Sequence, residues 1–246
     1  MSGHSKWSTI KHKKGAKDAR RGKLFGKLAR AIEVAARLGG GDPEANATLA
    51  HAIDKAKAQS MPNDNIERAI KRGSGDVEGE AFEEIWYEGY APGGVALYVQ
   101  VLTDNRNRTA SDVRSTFTRN NGNLGEPGSV AYLFEQKGYV LVGGDEDEVM
   151  LAALEAGAED VRASGDQFEV ITAPGDMDAV RDALAAAGSA VETAEVTQLP
   201  STAVSLDESS ARQVLRLMDA LEDLDDVQAV YGNFDISDEV LAQVVE

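Results

Sequence analysis

Ten lysines and arginines stand among the first thirty residues against a single acid, Asp18. Lys6, Lys11, Lys13, Lys14, Lys17, Arg20, Arg21, Lys23 and Lys27 follow one another closely, with His4 and His12 between them and Trp7 set among Ser5, Lys6 and Ser8. Cations at this density neutralise the phosphates of a polyanion, and an isolated aromatic among them offers a face on which an unpaired base can stack. A merely solvated surface usually intersperses both signs, so the run points to nucleic acid, with contacts mainly to the backbone. A second group, Asn105, Arg106, Asn107 and Arg108, lies between an apolar run ending at Leu102 and the start of a helical pattern at Thr109. Two readings stay open there. Either the arginines and free amides at a helix N-terminus hold an anion, or the loop is a turn whose arginines pair with surface acids.

Other chemistries lack their parts. The chain has no cysteine, and His4 and His12 have no acidic cluster beside them, so no metal and no cofactor is expected. All three histidines fall within the first 51 residues, and no nucleophile is assignable to them, so the expectation is a protein that is not an enzyme. The stretch Gly89 to Gly94 lacks the lysine of a phosphate loop and joins two strand patterns, which makes it a hairpin or bulge. Asp145 to Glu148 opens a helix, where four acids suit the dipole.

The charge is divided along the chain. Residues 1–72 hold 16 Lys and Arg against 7 Asp and Glu, and the remainder holds 9 against 35, which together make the net −17 of the 246 residues. A basic arm on an acidic body favours a polyanionic partner for the arm while the body resists nonspecific wrapping. No apolar run approaches a membrane span, and no membrane partner is expected. The start has no apolar core for secretion; its basic, acid-poor character faintly resembles an organelle transit peptide, and a cytoplasmic location is expected.

The spacing of apolar residues supplies the elements that must position these groups. Leu24, Leu28, Ile32 and Ala35 predict a helix from about Ala16 to Leu38, stopped by Gly39 to Gly41. Asp42-Pro43 would cap a second helix reaching Ala56, and Asn63 or Asp64 a third, closed by Gly73. Lys17 and Arg21 share the azimuth of Leu24 and Leu28, so the first turns must project beyond the core. Strand patterns at Ile85–Glu88 and Val95–Leu102 precede a helix that a Thr109–Asp112 capping box would start. From Gly138 to Val196 the order is βαββαβ, the ferredoxin-like unit. A strand near Ala203, a helical stripe from Ala211 to Leu221 and a strand over Val227–Ile236 cannot easily form a layer alone, so they should complete the sheet begun at Ile85. The fold class expected is α+β multi-domain: a basic helical domain (1–75) and two α/β domains. The third domain (136–200) is ferredoxin-like and inserted in the second (80–135 with 201–246).

Several segments carry a resemblance. Ser2–Trp7, Lys17–Phe25, Met61–Gly73, Tyr87–Val95, Leu102–Thr109, Asn121–Gly125 and Gly128–Phe134 resemble the YebC/PmpR family over essentially the whole chain. The resemblance implies the same three-domain plan and a cytoplasmic, non-enzymatic regulator of gene expression, usually described as a DNA-binding transcriptional regulator. Mitochondrial relatives resemble translational activators, one of them for cytochrome c oxidase. Bacterial members are associated with ribosomes stalled on proline-rich peptides, which implies ribosomal RNA or the ribosome as the alternative partner.

Overall fold

The structure, a computed structural model, describes residues 18–75 and 82–245, with main chain alone for residues 18–21, 238 and 245. Three helices come first: α1 (Asp18–Gly39), α2 (Ala47–Ala58) and α3 (Asn63–Gly73). They enclose a small core of Leu28, Ile32, Ala35, Ala36, Leu49, Ile53, Ala56, Met61, Ile66 and Ala69. Burial along α1 begins at Leu28, while Leu24 is 36% exposed, so the helix runs past its own bundle toward the N-terminus. Asp42-Pro43 does not cap α2. That role falls to Asn46, whose side chain accepts from Leu49 N at 3.1 Å and donates to the carbonyls of Ala35 and Gly40 at 2.8 Å each. One amide thereby starts α2 and ties it to the end of α1. Nor is Gly73 a C′ residue: it sits inside α3, where an added Cβ would lie 2.2 Å from Glu33 O and 2.7 Å from Ala36 Cβ. Its missing side chain lets α3 press against the backbone of α1.

Two sheets follow. In the first, the order is β3 (Asn123–Leu124), β1 (Glu83–Tyr90), β2 (Ala96–Thr103) and β9 (Val227–Gly232). Strands β1 and β2 run antiparallel from the Glu83–Thr103 pair to Tyr90–Ala96, turning through Pro92–Gly94, where Gly93 and Gly94 take φ of 81° and 78°. Only glycine adopts that conformation without strain. Helices α4 (Arg106–Arg119) and α7 (Glu208–Glu222) cover one face through Val113, Phe117, Ala211, Val214, Leu217, Met218 and Leu221, packed on Leu97, Val99 and Val101. The other face stacks Trp86 on Tyr98, with ring centroids 4.3 Å apart, flanked by Tyr231 and by Phe134, the first residue of β4 (Phe134–Gly143). Beside this junction the buried Glu88 carboxylate accepts three main-chain N–H groups, from Gly128 and Val130 at 2.6 Å each and from Ala131 at 2.8 Å.

The second sheet has the order β5 (Asp160–Ser164), β6 (Gln167–Thr172), β4, β7 (Ala190–Pro200), all antiparallel. Helices α5 (Glu146–Glu155) and α6 (Met177–Ala186) cover it over Val140, Val142, Val149, Val170, Val180 and Leu184. This is the ferredoxin-like arrangement, and it interrupts the first sheet between β2 and β9, which pair from Leu97–Gly232 onward.

The strand expected over Val227–Ile236 is divided. Its first part, β9, stops at Gly232, because the Asn233 side chain accepts from Ala96 N at 2.7 Å and closes the ladder. Residues Phe234–Asp235 (β10) then pair in parallel with β8 (Val204–Ser205). A further helix, α8 (Asp238–Val245), lays Val240, Leu241 and Val244 on the core. Ser237 followed by that spacing is the signal for it.

Candidate nucleic-acid interface

His4, Lys6, Trp7, Lys11, His12, Lys13, Lys14 and Lys17 lie outside the described residues, and Arg20 and Arg21 are described as main chain only. Lys23 and Lys27 are placed against the protein's own body. Lys23 Nζ donates to Asp223 O at 3.0 Å, Lys27 Nζ donates to Glu222 O, and Arg30 donates to Asp225 O. These carbonyls lie at and just past the last turn of α7, where a helix leaves its final C=O groups unbonded and its dipole attracts cations. Three cations one turn apart on α1 thus cover the C-terminal end of α7.

Arg30 also reaches the Asp226 carboxylate at 3.0 Å. The same carboxylate accepts from Arg108 Nη2 at 2.9 Å, from the Thr109 hydroxyl at 2.6 Å and from the Thr103 hydroxyl at 3.2 Å. Burial works to raise the Asp226 pKa, yet these hydrogen bonds and the charges of Arg108 and Arg30 together hold it below the ordinary value.

Helix α4 starts three residues before the expected capping box. Asn105 is its N-cap, accepting from Arg108 N at 3.1 Å, and the Thr109 hydroxyl is engaged with Asp226 instead. The anion beside this helix start is the chain's own Asp226. Arg108 pairs with Asp104 at 2.7 Å and with the buried Asp226 at 2.9 Å, and both hydrogen bonds raise its pKa. Arg106 and Asn107 are exposed, and the Arg106 charge is felt at the Tyr87 hydroxyl.

A second cationic surface went unremarked in the sequence. Arg68, Lys71 and Arg72, spaced three and four apart on α3, join Asn65, Met61 and the α1 residues Phe25, Gly26 and Ala29 around an open cleft of about 440 Å³. Arg68 is held by Asp64 O at 3.0 Å and by the Asn65 side chain, and Arg72 lies 3.5 Å from Glu33. Among the described residues no cluster of three or more His, Asp or Glu is arranged to hold a metal ion, and no helix is long and apolar enough to cross a membrane.

Comparison with known proteins covers nearly the whole chain. Residues 5–76 match the profile described as the TACO1/YebC protein N-terminal domain, and residues 82–234 match that of the TACO1/YebC second and third domain. Proteins named probable transcriptional regulatory protein are similar throughout. The one from Acidothermus cellulolyticus is 62% identical over 99% of this chain and 100% of its own length, and the one from Rubrobacter xylanophilus is 63% identical over 99% of each. The crystal structure of a conserved hypothetical protein, Aq1575 from Aquifex aeolicus, has a TM-score of 0.79 at 51% identity, covering 91% of this chain and 94% of that one. With both profiles aligned in order on the helical unit and on the two sheets, the chain belongs to the TACO1/YebC family.

Proposed function

We propose that this chain is a nucleic-acid-binding regulator of gene expression, acting in the cytoplasm without catalysis and gripping its partner mainly through phosphates. The observation that carries the proposal is the segregation of charge: ten cations and one acid in the first thirty residues, joined to a body of opposite sign. Sequence-independent contact is the chemistry such an arm performs best. The name carried by the relatives, transcriptional regulatory protein, supports DNA as the partner. A second reading, ribosomal RNA in a ribosome-associated translation factor, is favoured by the open cleft beside Phe25, since RNA is read largely through unpaired, splayed bases.

Binding by the full chain should fall steeply with salt, with a slope of log K against log salt of roughly −3 to −5 if about half the arm's cations meet phosphate. Removing residues 1–14 and replacing Lys17, Arg20 and Arg21 with Ala should abolish it while the rest stays folded. Unchanged affinity would overturn the proposal. Ultraviolet crosslinking in cells, with sequencing of the bound nucleic acid and gradient sedimentation, separates the two partners. Ribosomal RNA and a salt-sensitive shift into ribosomal fractions support translation, whereas discrete promoter DNA with a shared motif supports transcription.

A further inference from the structure

Glycine inside a helix is disfavoured relative to alanine, and α1 carries two, Gly22 and Gly26, four residues apart on one face. Packing among the described residues does not require them: a Cβ added at either position meets nothing within 4 Å. Gly73 differs in this respect, since a neighbouring helix fills the space. What a bare helix backbone at Gly26 permits is a close approach from outside, and Gly26 is one wall of the cleft.

The opposite wall is cationic. Arg68 is pre-set by its bonds to Asp64 O and Asn65, Lys71 is exposed beside it, and the apolar floor is Ala29 and Met61 with Phe25 at its edge. Bare backbone at Gly26, an apolar floor and a cationic rim within a volume typical of small-ligand sites fit a planar ring bearing a phosphate. An acidic peptide would use the rim alone. We infer that this cleft seats one unpaired nucleotide of a bound strand, its base against Gly26 and the floor and its phosphate on Arg68 and Lys71. The inference rests on the nucleic-acid reading above and locates a contact outside the arm.

The test measures binding of fluorescein-labelled single strands of about 12 nucleotides, RNA and DNA, and of the matching duplexes, to the full chain by anisotropy. Gly26→Leu should keep or raise the melting temperature, weaken single-strand binding about tenfold, leave duplex binding within about twofold, and leave the salt slope unchanged, because no phosphate contact is removed. Arg68→Ala with Lys71→Ala should make the single-strand slope shallower by about 1, because one phosphate contact is lost. Single-strand binding unaltered by Gly26→Leu in a folded protein overturns the inference. So does a poly-glutamate peptide that binds as tightly and is equally sensitive to Gly26→Leu, which would make the occupant an acidic peptide. If the native chain binds no nucleic acid at all, the functional reading itself fails. If binding is lost on removing the arm but both cleft variants match the native chain, only the cleft assignment fails.

Discussion

Arg30 and Asp226, 196 positions apart in sequence, meet at 3.0 Å and fasten the helical unit to the first sheet. The contact is not a simple surface pair. Asp226 is 7% exposed and also receives Arg108 and Thr109 from the start of α4, while the Arg30 guanidinium stands 5.5 Å from the Phe82 ring centroid. One carboxylate therefore sets both the seat of the basic helix and the geometry of the Asn105–Arg108 loop.

Removing the shared carboxylate should cost more than removing either arginine. Asp226→Ala removes the buried carboxylate shared by the Thr109 and Thr103 hydroxyls and the Arg108 guanidinium, leaving Arg108 only Asp104, and should destabilise the fold by about 2–4 kcal/mol. Arg30→Ala removes a part-exposed partner and should cost no more than about 1 kcal/mol, yet loosen the helical unit from the body. Calorimetry with small-angle scattering checks both: an unchanged melting temperature for Asp226→Ala, or an unchanged radius of gyration for Arg30→Ala, contradicts the arrangement.

The two arginines of the loop should part company. Arg108→Ala breaks the contacts to Asp104 and Asp226 and should lower the melting temperature, though less than Asp226→Ala does. Arg106→Ala, at an exposed position, should leave melting unchanged, and any loss of complementation in cells then reports a contact with a partner. Equal thermal effects from both substitutions would refute this division.

Acid should act through Asp226 and Glu88. For Glu88, burial pushes the pKa up, but the N–H groups of Gly128, Val130 and Ala131 together bring it below its ordinary 4.5; Asp226 likewise lies below 3.8. A carboxyl with a depressed folded-state pKa binds its proton more weakly when folded. Its stabilisation is complete above the unfolded value and is lost as pH falls through the folded one. The melting temperature should therefore begin to drop below about pH 4.5 on account of Glu88 and continue as Asp226 titrates. Glu88→Gln should cost about 1–3 kcal/mol at pH 7, and the deficit against the native chain should shrink as the pH is lowered. A deficit independent of pH would show that the carboxylate charge is not what holds residues 128–131.

Two helix glycines should respond oppositely to the same change. Gly73→Ala drives a methyl into the α1 backbone at Glu33 and should destabilise the helical unit by about 1–3 kcal/mol. Gly26→Ala meets no neighbour and should stabilise it by about 0.5–1 kcal/mol. Thermal denaturation of the two variants decides the matter, and the same sign for both would be inconsistent with the packing described.

Most elements were legible along the chain because their signals are local. The four-residue recurrence of Leu24, Leu28 and Ile32, the alternation through Val95–Leu102 and the βαββαβ order after Gly138 each reflect which side of one segment is buried. The concentration of cations before Arg30 is equally visible, since it needs only counting. Boundaries were less legible. Asn46 rather than Asp42 starts α2, and Asn105 rather than Thr109 precedes α4, because several residues in each stretch are chemically able to cap and only the packed neighbours decide which one is used. The partners of the charged groups were not legible at all. Nothing local assigns Lys23, Lys27 and Arg30 to the carbonyls after α7, Arg108 to Asp226, or Gly26 and Arg68 to one cleft. Those pairings join residues that share no periodicity: the contacts to α7 and Asp226 exist only once β9 has returned beside β2 and the end of α7 lies against the first helix, and the cleft only once α3 has folded back on α1.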